Sequence, residues 1–411
     1  MTTELWSLPG PGVITGAADD DPSGIATYSL AGAQTGYSLL WASLFTLPLN
    51  AAVQNMCARI GLVTGSGLAA VLRRHYSRRL LLFMVVLLFV ANTINMGANL
   101  AAVASGIELL TGMRQAAIVV PVGVAIAATE IVVPYRVYAK YLKVLTLVLF
   151  AYVIDAFVAG PDWGRALRYT FQPVVRFNAA YITTIVAVLG TTISPYLFFW
   201  QTSEEVEELH QHHEETGTEP ELRRAVFDTD LGMIIAHVVF YFIVLTTAAT
   251  LFPAGIHEIS TAREAAEVLR PLAGDQATRL FAIGFIGTGL LSIPILSGSA
   301  AYAIAEVFDW REGLENKPSE APQFYLAIAL ATAVGLAIAL SGVGAVRALF
   351  IAAVVNGVIA PGLIAAITVI SADERVLGKH RSGRLSVLLG ALTAGLMALA
   401  ALGMLAAFLV G

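Results

Sequence analysis

An all-α integral membrane protein is the fold class this sequence predicts, and three observations carry the reading. First, 57% of the 411 residues are hydrophobic and only 13% are charged, where soluble domains carry roughly 25% charged residues. Second, the apolar residues come in long continuous runs, not in the ~10-residue alternating strands of a membrane barrel. The bilayer offers no water to backbone groups, so apolar runs of about 20 residues must be helices. Third, two of these runs are interrupted at their centres, at corresponding places in two halves of the chain.

Eleven spans are predicted, near residues 11–36, 38–62, 80–108, 115–133, 138–159, 178–202, 226–252, 277–308, 322–341, 345–371 and 384–410. Two connections are long. Residues 203–225, "SEEVEELHQHHEETGTEPELRRA", read as a polar, acidic loop, and residues 253–276 as a short amphipathic helix with loops. Lysine and arginine set the orientation. The loops holding Arg73 to Arg79, Arg136, Lys140, Lys143, Arg223, Arg224, Arg311, Lys317 and "ERVLGKHRSGR" fall on one side. That side has about 16 basic residues against about 8, which places it and the N-terminus in the cytoplasm. Eleven spans then leave the C-terminus outside. No lysine or arginine falls mid-span, where it would be costly in lipid and would repel a cation in transit. The single cysteine, Cys57, excludes an internal disulfide. The N-terminus lacks the basic-then-apolar order of a cleavable signal.

The first span contains "GAADDDPSGIATYS", Gly16 to Ser29. Each aspartate costs about 2.5–3.5 kcal/mol at a helix centre, and Pro22 and Gly24 break helices. A tail ending at Gly24 would leave a span of only about twelve residues. That rises about 18 Å, too little for a ~30 Å apolar core. Including "GVITGAA" restores the length, so the Asp-Pro break is predicted to lie mid-membrane. The sixth span carries the matching defect in "VLGTTISPYLFFW", Val188 to Trp200, with Pro195 at its centre. Paired interruptions in two halves point to a transporter site built from inverted repeats. Asn92, Asn95 and Asn99 share one face of the third span, where they either bond between helices or line a hydrophilic pathway.

Other polar residues read more simply. His210, His212 and His213 in "EELHQHHEE" lack firm metal-ligand spacing and belong to an exposed loop. Glu130 is expected to pair with a nearby basic residue and His237 to be a packed, hydrogen-bonded residue. Asp228 and Asp230 are expected to cap the seventh helix. No nucleotide loop, nucleophile constellation or structural zinc spacing is present, so an enzyme is not expected. No basic stripe points to nucleic acid.

The first-span stretch "GPGVITGAADDDPSGIATYSLAGAQTGYSLLW" resembles the first-helix signature of the Nramp divalent-metal transporters. Their pattern is Asp-Pro-Gly-Asn followed by Ala-Gly-Ala-Gln-x-Gly-Tyr-x-Leu-Leu-Trp, which stands here as Ala31 to Trp41. "GTTISPYLFFW" falls where that family has a Met-Pro-His motif. The resemblance implies the leucine-transporter type of fold: a single polytopic domain with one five-helix repeat over about 11–159, an inverted second over about 178–371, and an extra helix at about 384–410. Asp21 matches the family's metal-binding aspartate. Gly24 stands for a metal-binding asparagine, Ser194 for the metal-binding methionine, and Tyr196 for the histidine after the proline. Asn99 and Ala102 stand for an acidic pair implicated in proton movement. Ala353 stands for a tenth-helix glutamine, with Asn356 nearby.

These departures have a chemical direction. A thioether favours transition metals, whereas carboxylate, carbonyl, hydroxyl and water suit Mg²⁺, Ca²⁺ and Mn²⁺. Mg²⁺ keeps several waters and is held through one or two carboxylates. A roomier, harder, more acidic site resembles the Nramp-related magnesium transporter branch. The expectation is uptake of hydrated Mg²⁺ and Mn²⁺ by alternating access without proton coupling, by a monomer in the inner (plasma) membrane. Neither a cofactor nor a nucleic-acid partner is expected; the metal ion is cargo. Asp21 is the principal ligand and Asp20 a second carboxylate. The carbonyls of Ala18 and Thr191 contribute, Ser194 bonds a retained water, and Asp19 faces the vestibule. The rivals are a proton-coupled Mn²⁺/Fe²⁺ carrier, an organic-solute transporter on the same fold, and a non-transporting membrane protein.

Overall fold

The computed structural model describes residues 10–133, 147, 150–212, 217–314 and 316–410. Among these residues the chain is helical, with no strand. The helices are α1 (Pro11–Asp19), α2 (Pro22–Thr35), α3 (Leu40–Thr64), α4 (Leu68–His75), α5 (Arg78–Thr111), α6 (Gln115–Val132), α7 (Phe150–Ala159) and α8 (Trp163–Phe171). The second half continues with α9 (Ala179–Thr192), α10 (Pro195–His212), α11 (Glu219–Thr250), α12 (Ala262–Ala266), α13 (Ala277–Phe308), α14 (Pro322–Ala339), α15 (Ala345–Ala372) and α16 (Arg384–Val410). Ten predicted spans correspond to these helices. The fifth, 138–159, is described only in part, as α7, and Arg136, Lys140 and Lys143 lie outside the described residues.

Both predicted breaks are present. Prolines cannot donate a backbone hydrogen bond, so Pro22 opens α2 and Pro195 opens α10 as first-turn residues. Alone, α1 rises only about 13 Å, so the pair α1–α2 makes the first crossing. The spans around α13 and α9–α10 lie deepest in the bundle, each with 78% of its most apolar stretch buried, against 28% for α6 and α16 at the edge.

Close helix approach fixes where each break sits. A Cβ on Gly16 would stand 2.3 Å from the Gly232 carbonyl oxygen, and one on Gly190 would stand 2.1 Å from the Ala353 carbonyl oxygen. Only glycine lets α1 lie on α11 and α9 on α15 at this distance, as small residues do between membrane helices.

Three expectations need correction. Residues 203–225 are not a long loop: α10 runs on to His212 and α11 begins at Glu219. The acidic run has a buried face, with Leu209 and Glu205 both 3% exposed and Glu205 accepting from Gln201 Nε2 at 2.7 Å. The polar letters concealed a helix that packs one side against α3. The side chains of His210, His212 and His213 lie outside the described residues. Asp228 and Asp230 lie inside α11, not at its start. Asp230 accepts from Asn55 at 2.8 Å, while Asp228 accepts from the backbone N–H groups of Gly10, Gly12 and Val13 at 3.0, 2.6 and 3.2 Å. It caps α1, from a helix 216 residues away in sequence. Glu130 is in no ion pair among the described residues; it is 3% exposed and accepts from Ser297 Oγ at 2.7 Å.

The loops assigned to one side do meet there. Arg73 pairs with Asp309 at 2.6 Å, His380 with Glu219 at 3.5 Å, and Arg59 donates to the His380 carbonyl at 3.1 Å. Arg73 holds the Asp309 carboxyl below its usual range.

Candidate metal site at two facing helix breaks

Asp20 and Asp21 form the first break. Asp21 is extended, with φ −68° and ψ 171°, and its side chain caps α2 by accepting from Gly24 N at 2.9 Å. Its other oxygen accepts from Asn99 Nδ2 at 3.0 Å, and the same amide reaches Asn95 Oδ1 at 3.2 Å. Asp19, Asp20 and Asp21 are only 1–2% exposed. Oδ1 of Asp19 and Oδ1 of Asp20 have no hydrogen-bond partner. Among the described residues no lysine or arginine pairs with any of the three.

Ile193 and Ser194 form the second break, which has no charge. Ser194 Oγ donates back to the carbonyls of Gly190 and Thr191, at 2.9 and 2.8 Å. These are carbonyls that the end of α9 would otherwise leave open. Tyr196, buried on α10, donates its hydroxyl to the Ala18 carbonyl at 2.9 Å, so a residue after the second break holds the carbonyl before the first.

The breaks touch directly. Ser23 Oγ and Thr191 Oγ1 are 3.1 Å apart, and Tyr28 and Thr192 share a hydroxyl contact of 2.9 Å. Asn50 on α3 ties both together, donating to the Thr192 carbonyl at 2.8 Å and to Asp19 Oδ2 at 3.4 Å. Ser23, Tyr28 and Asn50 were not singled out in the sequence. Asn50 had a signal: an amide in the middle of an apolar span must find a partner.

The other candidates divide. Asn95 and Asn99 face Asp21, but Asn92 turns to α13, donating to the Leu296 carbonyl at 3.2 Å and Ser299 Oγ at 3.3 Å. Asn92 thus bonds between helices, while its two neighbours reach the break. Asn356 is buried on α15 beside Gly357, and its Nδ2 has no partner. The room left at Gly24 is not open: a Cβ there would lie 3.2 Å from the Tyr28 ring and 3.1 Å from the Asp19 carbonyl oxygen. His237 is packed as expected, bonded to the Met233 carbonyl at 2.8 Å.

Among the described residues no group of three or more His, Cys, Asp or Glu side chains is arranged to hold a metal. A metal at the breaks would draw on one or two carboxylates completed by neutral oxygens. The set on offer is hard: carboxylate, carbonyl, amide and hydroxyl oxygen. The nearby thioether of Met96 is turned away, against Gly335 on α14.

The profile of the Nramp family, described as Natural resistance-associated macrophage protein-like, matches residues 12–407. Relatives include the divalent metal cation transporter MntH of Verminephrobacter eiseniae, 26% identical over 391 residues, covering 92% of this chain and 84% of that protein. MntH of Yersinia pestis (strain Pestoides F) is 30% identical over 297 residues, covering 70% of this chain and 69% of that protein. Among solved structures, the Eremococcus coleocola manganese transporter superposes with a TM-score of 0.76 at 18% identity, covering 97% of this chain and 86% of that one. Mhp1, a nucleobase-cation-symport-1 family transporter, follows with a TM-score of 0.63 at 15% identity, covering 98% and 91%. At these identities the likeness is one of fold, and it is the leucine-transporter-type fold with an inverted repeat.

Proposed function

We infer the function from one premise: the chain belongs to the Nramp family. We propose that it is a multi-pass membrane transporter of divalent metal cations, carrying hydrated Mg²⁺ and Mn²⁺ inward by alternating access without a coupled proton. One observation supports this reading above the others. Three buried carboxyls at the first break, with no cationic side chain among the described residues to neutralise them, lie beside a second break whose polar groups are carbonyl and hydroxyl. Buried carboxylates need a counter-charge, and a dication supplies it.

In this reading Asp21 is the principal ligand, held in place by Asn99 and by Gly24 N. Asp20, with its free Oδ1, is the second carboxylate, and the carbonyls of Ala18 and Thr191 complete the oxygen set. The Ser194 hydroxyl spends its proton on its own helix, so its lone pairs are left to accept from a metal-bound water. Such a water suits Mg²⁺, which dehydrates reluctantly. Asp19, held by Asn50, lies on the way to the site. Membrane potential suffices as the driving force: a dication gains about 4.6 kcal/mol per 100 mV. The two helix breaks belong to two inverted repeats of a single domain, the protein acts as a monomer in the inner membrane, and its N-terminus is cytoplasmic.

The test is flux into liposomes made with the purified protein. Mn²⁺ uptake should be inhibited by excess Mg²⁺, and the lumen should not acidify as metal enters. Mn²⁺ uptake indifferent to Mg²⁺, or acidification in step with uptake, overturns the Mg²⁺ and uncoupled parts respectively. No flux of any divalent ion overturns the whole reading.

A further inference from the structure

The connection between the fifth and sixth spans holds a short helix, α8, with an apolar side that nothing in the bundle covers. Only residues 160–162 separate its start at Trp163 from the end of α7 at Ala159, and the next span begins with α9 at Ala179. The chain therefore keeps α8 close to the level at which these spans leave the membrane. That level is the one opposite Arg73. The Asp162 N–H donates to Tyr37 Oη at 3.2 Å, just before α3 begins. Arg73 lies on α4, past the other end of α3, which rises about 37 Å.

Three sides of α8 differ. Ala166 and Thr170 are buried, and Thr170 Oγ1 lies 3.0 Å from Tyr241 Oη on α11. Arg165 and Arg168 share an exposed side, where Arg168 Nε donates to Gln172 Oε1 at 3.2 Å. Trp163, Leu167 and Phe171 recur every fourth residue and so form one stripe. They are 39%, 55% and 66% exposed. The stripe does not stop at α8. The Trp163 ring stands 5.3 Å from that of Phe157 on α7. Phe157 is itself exposed, together with Ile154 and Val158 one turn away on the same span. Past α8, Phe177 is 91% exposed beside Asn178, the cap of α9.

We propose that α8 docks into the bilayer surface on the side opposite Arg73. Trp163, Leu167 and Phe171 enter the lipid, while Arg165 and Arg168 face head groups and water. Two features select a bilayer over a protein partner. Through Phe157 the stripe is continuous with the lipid-facing surface of a span. Arginines on one side and tryptophan, leucine and phenylalanine on another are what a helix lying in the interface carries, its apolar face about 5–10 Å deep. Tryptophan is also enriched at that level. The Tyr37 contact then ties the end of α2, the helix that starts at the first break, to the membrane surface. The ion carried plays no part in this docking.

The experiment is spin-label electron paramagnetic resonance on the full-length protein in phosphatidylcholine nanodiscs, in a Cys57→Ala background. Labels are attached one at a time through Leu167→Cys, Phe171→Cys, Arg165→Cys and Arg168→Cys, and Val86→Cys on α5 sets the value for a lipid-facing site. All five side chains are exposed, so a label at each is tolerated. Oxygen concentrates in acyl chains, and a neutral nickel chelate stays in water. The oxygen-to-nickel accessibility ratio should exceed one at positions 167 and 171, as at 86, and fall below one at 165 and 168. A ratio below one at 167 and 171 overturns the proposal, because the stripe then stands in water. So does low access of both agents there, which would assign the stripe to a protein partner or a second copy of the chain.

Discussion

The two helix breaks are built alike and furnished differently. Each follows a half-helix seated by glycine on a neighbour, and each ends at a proline that opens the next half-helix. The first break carries three carboxyls, and besides Gly24 N on its own helix it draws on Asn99 on α5 and Asn50 on α3. The second carries none; Ser194 is folded back on its own helix, and Asn50 supplies the donor to the Thr192 carbonyl. In the proposed site the charged break supplies the carboxylates and the uncharged break the neutral wall. The difference teaches that the two breaks share a geometry, and even the Asn50 donor, while only one carries charge.

That division can be attacked from either side. The largest effect is expected from Asp21→Ala, which should bring Mn²⁺ and Mg²⁺ uptake in liposomes to background. This exceeds the ~10–100-fold loss typical of an outer partner of a metal, the size expected for Asn99→Leu. Equal losses in the two variants would make Asp21 no more than a structural cap. Ser194→Met, by adding a soft ligand to the neutral break, should shift competition toward Mn²⁺ over Mg²⁺ by about tenfold; an unchanged ratio would remove Ser194 from the site. Asn50→Leu should lower stability by about 1–3 kcal/mol, since it leaves the buried Thr192 carbonyl without its donor. Thermal unfolding in detergent reads this. Smallest is Ser23→Ala, which removes one of several contacts between the breaks and should cost about 0.5–1.5 kcal/mol with substrate preference unchanged.

Much of this was legible in the letters. Apolar run length located the spans, because a bilayer permits little else, and the proline positions located both breaks. What failed was partnership. Asp228 and Asp230 looked like local caps because capping is normally local, yet their partners are Gly10–Val13 and Asn55. Glu130 looked like half of an ion pair because basic residues follow it closely. Its observed partner is a serine 167 residues away. The acidic run after Trp200 read as loop because its buried stripe, including Glu205 and Leu209, is narrow and partly charged. Of the three asparagines on one face, the spacing showed a shared stripe but not that Asn92 points to a different neighbour. Distant pairing is a property of the packed bundle, and a run of letters carries it only weakly.

The cap on α1 also bears on how the chain is made. Asp228 is the acceptor for three N–H groups at the start of the first membrane segment, but it is synthesised 216 residues after Gly12. At 5–20 residues per second that is a wait of about 10–40 s. For that interval the segment α1–α2 has uncapped N–H groups and no seat on α11, while Asp21 gains its Asn99 partner earlier, 78 residues on. The contacts that complete α1 are therefore among those made late, because their acceptor on α11 follows it by 216 residues.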